Sequence, residues 1–345
     1  MAAAGPASRR AGPSQGGRHV QDGEIVNGGS ETRVLALCGG VGGAKLALGL
    51  YRTLTPGALT VAINTGDDFE HLGLHVSPDI DTVTYTLSGL SDTERGWGLA
   101  EESWRFMSAL ERLGGETWFR LGDLDLATHV ERTRRLRAGE TLSEITAGFA
   151  ARLGIRARLI PMSDDPVRTM VQTPQGELGF QSYFVGRQCE PEVRAISFKG
   201  AENARVHPAL IESLADPTLA AIIICPSNPY LSVDPILAVD GVRDALLARG
   251  VPCIAISPLV GGKALKGPLT KLIGELGKAS DNRSIAEHYR GLVDHLVIDE
   301  CDAADAEDLR GTGLSVTVTQ TVMREAEDRE RLAREVLAAA GFETD

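Results

Sequence analysis

No two cysteines in this chain stand at CxxC spacing. The five present, Cys38, Cys189, Cys225, Cys253 and Cys301, are odd in number and widely scattered, which counts against zinc and thioredoxin-type chemistry. Cys38, Cys225 and Cys253 lie at or near the ends of apolar runs, where a small buried thiol is the simple reading. A reducing cytoplasm is the expected compartment. No apolar run approaches the ~20 residues that cross a bilayer. The stretch from Met1 to Thr32 lacks the apolar region of a secretory signal and reads as a disordered tail. A cationic surplus is missing too: the formal net charge is −12, which repels polyanions and argues against a nucleic-acid partner. An anionic ligand then needs local backbone amides, basic side chains or a metal to overcome that field. No internal repeat is visible.

What is present is ordinary for a globular chain. With 345 residues and 43% of them hydrophobic, one large α/β domain can build a core. Residues 33–345 are expected to form that single domain. Val34-Leu35-Ala36-Leu37-Cys38 is a continuous apolar run ending in glycines, the pattern of a buried parallel strand. Similar runs occur at Leu59–Ile63, Ala220–Cys225 and Cys253–Ile256, with a weaker one at His295–Ile298. Helical periods separate them, from Ala44 to Thr53, Leu99 to Leu113, Leu142 to Leu153, Val242 to Leu247 and Met323 to Ala340. This alternation predicts a Rossmann-like, doubly wound, mostly parallel sheet. Residues 156–198 differ: Arg158–Met162, Val167–Thr173, Glu177–Phe184 and Val193–Phe198 read as short strands, with Pro174-Gln175-Gly176 as a hairpin turn. They are expected to form a small antiparallel insert.

Two polar loops follow the first two strands. Gly39-Gly40-Val41-Gly42-Gly43-Ala44-Lys45 opens the first helix. It has neither Walker A nor GxGxxG spacing, and is either a tight strand-to-helix turn or a phosphate cradle in which Gly40, Val41, Gly42 and Gly43 present amides. Lys45, expected within the helix's first turn, could add a point charge. The second loop, Asn64-Thr65-Gly66-Asp67-Asp68, should lie at the same carboxyl edge, and Ser77-Pro78-Asp79-Ile80-Asp81 follows it. Ser77 or Asp79 could cap the next helix. Capping does not account for four carboxylates beside a phosphate site. A hard, oxygen-seeking cation such as Mg²⁺, held among Asp67, Asp68, Asp79 and Asp81, would relieve their repulsion.

Further along, Arg120 and His129 flank the cluster LGDLDLATH; each is a candidate ligand contact or an ordinary surface or buried residue. Ser227 and Asn228, in the turn Pro226-Ser227-Asn228-Pro229, could reach a base, ribose or phosphate at a sheet edge of this type. Lys263 and Lys266 stand in SPLVGGKALKGP after the next strand.

Taken together, GGVGGAK at Gly39, NTGDD at Asn64, SPDIDTVTYTL at Ser77, LGDLDLATH at Leu121, PMSDDPV at Pro161, PSNP at Pro226 and SPLVGGKALKGP at Ser257 resemble the 2-phospho-L-lactate transferase family of coenzyme F-420 biosynthesis. The resemblance runs from Arg33 to the C-terminus and implies a Mg²⁺-dependent cytoplasmic transferase. It also implies a donor in which guanosine diphosphate carries a three-carbon acid, the deazaflavin precursor Fo as acceptor, and GMP as the leaving product. On the family pattern Asp81 and Arg120, with His129 nearby, would contact the deazaflavin. The glycine loop, Ser227, Asn228 and Lys263 would hold the nucleotide. The metal with Lys45 or Lys263 could stabilise the transferred phosphoryl group, and proximity along the chain makes Asp67 or Asp68 the candidate general base. A homodimer is expected. The competing reading is a nucleotide-sugar-binding regulatory protein that shares the core but not the catalysis.

Overall fold

A computed structural model describes residues 32–342. The expected tail, 1–32, falls almost wholly outside the described residues. Strand β1 (Arg33–Cys38) leads into α1 (Gly40–Thr53) and β2 (Leu59–Ile63). A short hairpin, β3 (Phe69–His71) and β4 (Leu74–Val76), precedes α2 (Pro78–Leu87), α3 (Arg105–Arg112), α4 (Asp125–Arg137) and α5 (Leu142–Arg152). After β5 (Arg158–Pro161) come β6 (Arg168–Thr173), β7 (Gly176–Gly179) and β8 (Ala195–Lys199). The chain continues through α6 (Pro208–Ala215), β9 (Leu219–Ile224), α7 (Asp234–Ala238), α8 (Val242–Leu247) and β10 (Cys253–Ile256). A two-residue-stranded hairpin, β11 (Leu259–Val260) and β12 (Lys263–Ala264), follows. Then come α9 (Leu269–Glu275), α10 (Asn282–His288), β13 (His295–Asp299), α11 (Ala306–Gly311), β14 (Ser315–Thr319) and α12 (Ala326–Ala339).

Seven strands form one sheet in the order β14-β13-β10-β9-β1-β2-β5, every neighbouring pair parallel. Alternate residues of β1 enter opposite cores. Leu35 and Leu37 join Ile222 and Ile224 on one face, while Val34, Ala36 and Cys38 join Ala221 and Ile223 on the other. A strand buried on both faces must be apolar throughout, which is why β1, β2 and β9 read as continuous runs. From β1 the chain winds outward through β2 to β5, and from β9 it winds the other way to β14. The reversal lies between β1 and β9, so their carboxyl ends open a crevice where doubly wound sheets bind ligands.

Several expectations need correction. Arg158–Pro161 is not part of the antiparallel insert; it is the parallel edge of the main sheet, paired with β2. The insert is β7-β6-β8 alone, and Glu177–Phe184 is strand only to Gly179, turning into a π-helical Ser182–Gly186. The helix expected from Leu99 begins at Arg105, because Gly98 and Glu101 both adopt positive φ and interrupt the turn. Helix α1 begins at Gly40 rather than Ala44, so the glycines form its first turn and Lys45 stands in the second.

Candidate active site

The glycine loop and the PSNP turn meet at the crevice. Ser227 Oγ donates to Gly39 O at 2.8 Å and accepts from Gly39 N at 3.2 Å. The approach is close enough to require glycine: a Cβ on Gly42 would lie 2.6 Å from Pro226 O, and one on Gly43 would lie 2.5 Å from Ser227 Oγ. Gly40 is needed for a different reason, its φ of +66°, a region costly to side chains. Because the Gly42 contact is with backbone, a Gly42→Ala chain is expected to lose about 1–3 kcal/mol of stability as the loop shifts. A thermal melt against the parent checks this.

The NTGDD loop continues the crevice beyond β2. Asp67, Asp68 and Asp79 are all buried. Asp79 Oδ1 accepts from Gly40 N at 2.8 Å and Oδ2 from Asn64 Nδ2 at 2.9 Å. Asp68 Oδ2 accepts from Ser77 Oγ at 2.8 Å and lies 3.1 Å from His75 Nε2. Oδ1 of Asp67 and Oδ1 of Asp68 have no hydrogen-bond partner. Burial drives the Asp79 carboxyl up to about 6, with Asp68 adding to the rise. Burial, then Asp79, pushes Asp67 well above the usual carboxylate range. Asp67 Oδ1 and Asp68 Oδ1, buried without a donor, are open to a hard divalent cation, whereas the three-ligand group whose atoms lie within 4.8 Å of one another among the described residues is Asp81, Asp125 and His129.

Asp81 faces elsewhere. Two residues further along α2, just over half a turn, it pairs with the guanidinium of Arg132, which is 1% exposed; Nη1 to Oδ2 is 3.1 Å, and Nη2 contacts Oδ1. Burial works against the charge on Arg132, but the Asp81 carboxylate holds its pKa above the ordinary value. His129 is also buried, with Nε2 3.1 Å from Asp125 Oδ2 but out of line for a hydrogen bond. Its Nδ1 is 3.7 Å from Asp81 Oδ2. Tyr85 OH donates to Asp125 Oδ1 at 2.6 Å. Asp81 and Tyr85 are i, i+4 on α2, and Asp125, His129 and Arg132 share one face of α4, so the two helices lock together through this network.

The other face of α2 borders a cleft. Its lining includes Thr82, Tyr85, Thr86, Ser91, Thr93 and Trp97 together with Val41, Lys45, Lys266, Arg324 and Arg329.

The sequence matches the family described as 2-phospho-L-lactate transferase CofD over residues 34–339. The chain belongs to that family. Curated relatives include a phosphoenolpyruvate transferase of Streptomyces griseus, 38% identical over 89% of this chain and 98% of its own length. A 2-phospho-L-lactate transferase of Methanosarcina mazei is 35% identical over 89% and 100%, and one of Methanopyrus kandleri is 40% identical over 88% and 96%. Among solved structures, a UPF0052 family member from Bacillus halodurans has a TM-score of 0.59 at 14% identity, covering 89% of this chain and 99% of that one. At that identity the likeness concerns the fold alone.

Within this transferase family member, the residues singled out from sequence divide into separate groups. Asp67, Asp68 and Asp79 are buried neighbours whose charges act on one another, but their ligand oxygens do not converge within 4.8 Å as those of Asp81, Asp125 and His129 do; Asp81 joins Arg132, His129 and Asp125 instead of completing a four-carboxylate cluster. Neither Ser77 nor Asp79 caps α2 with its side chain; Ser77 serves Asp68, and Asp79 serves Gly40 and Asn64. Ser227 is engaged with Gly39, and Asn228 Oδ1 accepts from Tyr230 N and Leu231 N, so both build the crevice wall. Lys45 Nζ donates to Met323 O at 2.7 Å. Lys263 is exposed on the β11–β12 hairpin, away from the residues that line the cleft. Arg120 lies 4.3 Å from the Trp104 ring centroid, on a segment anchored by Phe69, His71, Trp118 and Phe119. Sequence reasoning missed His75, Tyr85, Asp125, Arg132, Arg324 and Arg329. The i, i+4, i+7 spacing of Asp125, His129 and Arg132 was the available signal; Arg324 and Arg329 had none, since the loop after β14 brings them in from the far end of the chain.

Proposed function

We propose that this protein carries out the phospho-acid transfer of coenzyme F-420 biosynthesis. It moves a phosphorylated three-carbon acid from a guanosine-diphospho donor to the terminal ribityl hydroxyl of Fo. The acid is a 2-phospholactate, phosphoenolpyruvate or 3-phosphoglycerate unit. The hydroxyl oxygen bonds to the acid-side phosphorus, its proton passes to a carboxylate of the Asp67–Asp68 pair, the bond to the other phosphate breaks, and GMP leaves. The observation that carries this reading is the meeting of the glycine loop, the PSNP turn and three buried carboxylates at the point where the strand order reverses.

Asp67, Asp68 and Asp79 would hold Mg²⁺, which supplies positive charge against the donor's diphosphate when bound. The chain's own residues do the rest. The first turn of α1, from Gly40 to Gly43, presents amides and a helix N-terminus to the nucleotide phosphates. Asn228 and Lys263 border the nucleotide, Ser227 fixes the loop, and Lys45 adds charge beside the first turn. Asp81, oriented by Arg132, fixes the acceptor together with Arg120, and His129 backs Asp81 from α4. The reading extends to a cytoplasmic homodimer. No helix of the described residues is long and apolar enough to cross a membrane.

Titration with Fo, followed through the deazaflavin's own fluorescence, tests the acceptor half. Saturable binding that Arg120→Ala weakens at least tenfold is expected. Absence of binding in the parent protein would remove Fo from the reading.

A further inference from the structure

Four basic side chains reach one cleft, and among the described residues none of them forms a salt bridge. Lys45 comes from α1, Lys266 from the loop after β12, Arg324 from the loop before α12 and Arg329 from the first turn of α12. The three segments come after β1, β10 with its β11–β12 hairpin, and β14, so the cleft belongs to the ligand edge. Among the described residues about half of the other arginines are paired, as in Arg132–Asp81, Arg205–Asp165 and Arg283–Asp308. The acidic residue lining the cleft, Asp92, is engaged by Arg95. Arg329 Nε is buried without a hydrogen-bond partner. Burial and then the nearby Arg329 and Lys266 lower the pKa of Lys45, and the opposing pull of Asp328 and Glu325 does not offset them.

The cleft is distinct from the carboxylate group but adjacent to it. Gly40 N–H binds Asp79, and the next residue, Val41, lines the cleft. An anion straddling the first turn of α1 would therefore have one end at the carboxylates and the other among the four cations. Resting on the transferase reading above, we infer that this cleft seats the carboxylate of the donor's three-carbon acid. The metal-binding carboxylates take the diphosphate, whose charge needs Mg²⁺ beside Asp67, Asp68 and Asp79. The acid end, which carries its own negative charge, points to the cationic side. Trp97 and the Thr82 and Thr86 side chains form the wall against its carbon skeleton, which makes this cleft the place where one acid is told from another.

The test is calorimetric and needs no turnover. GDP and each of the three guanosine-diphospho acids are titrated, with Mg²⁺ and without Fo, into the parent protein and into Lys266→Ala and Arg324→Ala. Both side chains are exposed, so neither change is expected to unfold the chain. In the parent, the preferred donor should bind at least tenfold tighter than GDP. Each variant should lose about tenfold of donor affinity while GDP affinity stays within twofold. Equal losses for donor and GDP would assign the cleft to the diphosphate and overturn the inference, as would variants that change neither. A parent that forms product yet binds donor no tighter than GDP would overturn it while leaving the transferase reading intact.

Discussion

Asp79→Asn is expected to lower the rate of transfer by about 10²–10³-fold, the share that a few kcal/mol of lost charge stabilisation represents. Asp79 connects three parts of the crevice: it accepts from Gly40 N in the first turn of α1, from Asn64 Nδ2 at the end of β2, and it shares its surroundings with Asp67 and Asp68. An amide keeps one acceptor oxygen, but its NH₂ would face either the Gly40 N–H or the Asn64 NH₂, donor against donor. It also removes one of three charges that favour a divalent cation. Since the carboxyl is already disfavoured as an anion by burial, losing that charge relieves part of the folding penalty. Activity should therefore fall far more than stability. Steady-state rates over a Mg²⁺ series, with thermal melts of the same samples, separate the two effects. Full activity at saturating Mg²⁺ would remove Asp79 from the metal site.

Arg132→Leu is expected to have the largest effect on stability, about 3–5 kcal/mol, because it strands the Asp81 carboxylate in a buried position without its partner. Among the described residues Arg132 is the largest fully buried side chain, and it joins α4 to α2 through Asp81 and to the β4 strand through His75 O at 3.4 Å. Removing both charges together should be much milder: Asp81→Leu with Arg132→Leu is expected to recover most of the loss, since the desolvation of both ions disappears with them. The double variant should still fail to bind Fo, because Asp81 is gone. Urea unfolding of the two single variants and the double variant gives the coupling directly. If Arg132→Leu alone melts like the parent protein, the pair contributes nothing to holding α2 against α4.

How much of this was legible in the sequence follows from burial. Strands β1, β2, β9 and β10 are almost wholly apolar, apart from the exposed Arg33 and the buried Thr60, because both faces are covered, and their bounds are readable to within a residue. Strand β14, Ser-Val-Thr-Val-Thr, is a half-exposed edge whose alternation resembles a loop, and it escaped notice. Arg158–Pro161 reads as part of the insert because it is short and stands beside the true insert strands; only its pairing with β2 reveals its place. The glycine loop and the NTGDD carboxylates were visible because their chemistry is concentrated in consecutive residues. The partnership of Asp81 with Arg132 was not, since it depends on two helices 51 positions apart meeting face to face. Nor was the cationic cleft, which gathers residues from both ends of the domain. Local chemistry is written in local sequence, whereas a site assembled by the winding of the sheet appears only once the sheet is closed.

The most direct measurement is mass-spectrometric detection of product from the purified protein, Fo, Mg²⁺ and the three guanosine-diphospho acids supplied together. The account predicts a phosphodiester of Fo and GMP in equal amounts, abolished by chelating the metal, with one acid dominating the product. Tight nucleotide binding with no phosphodiester from any donor would contradict it and point to a regulatory binding protein.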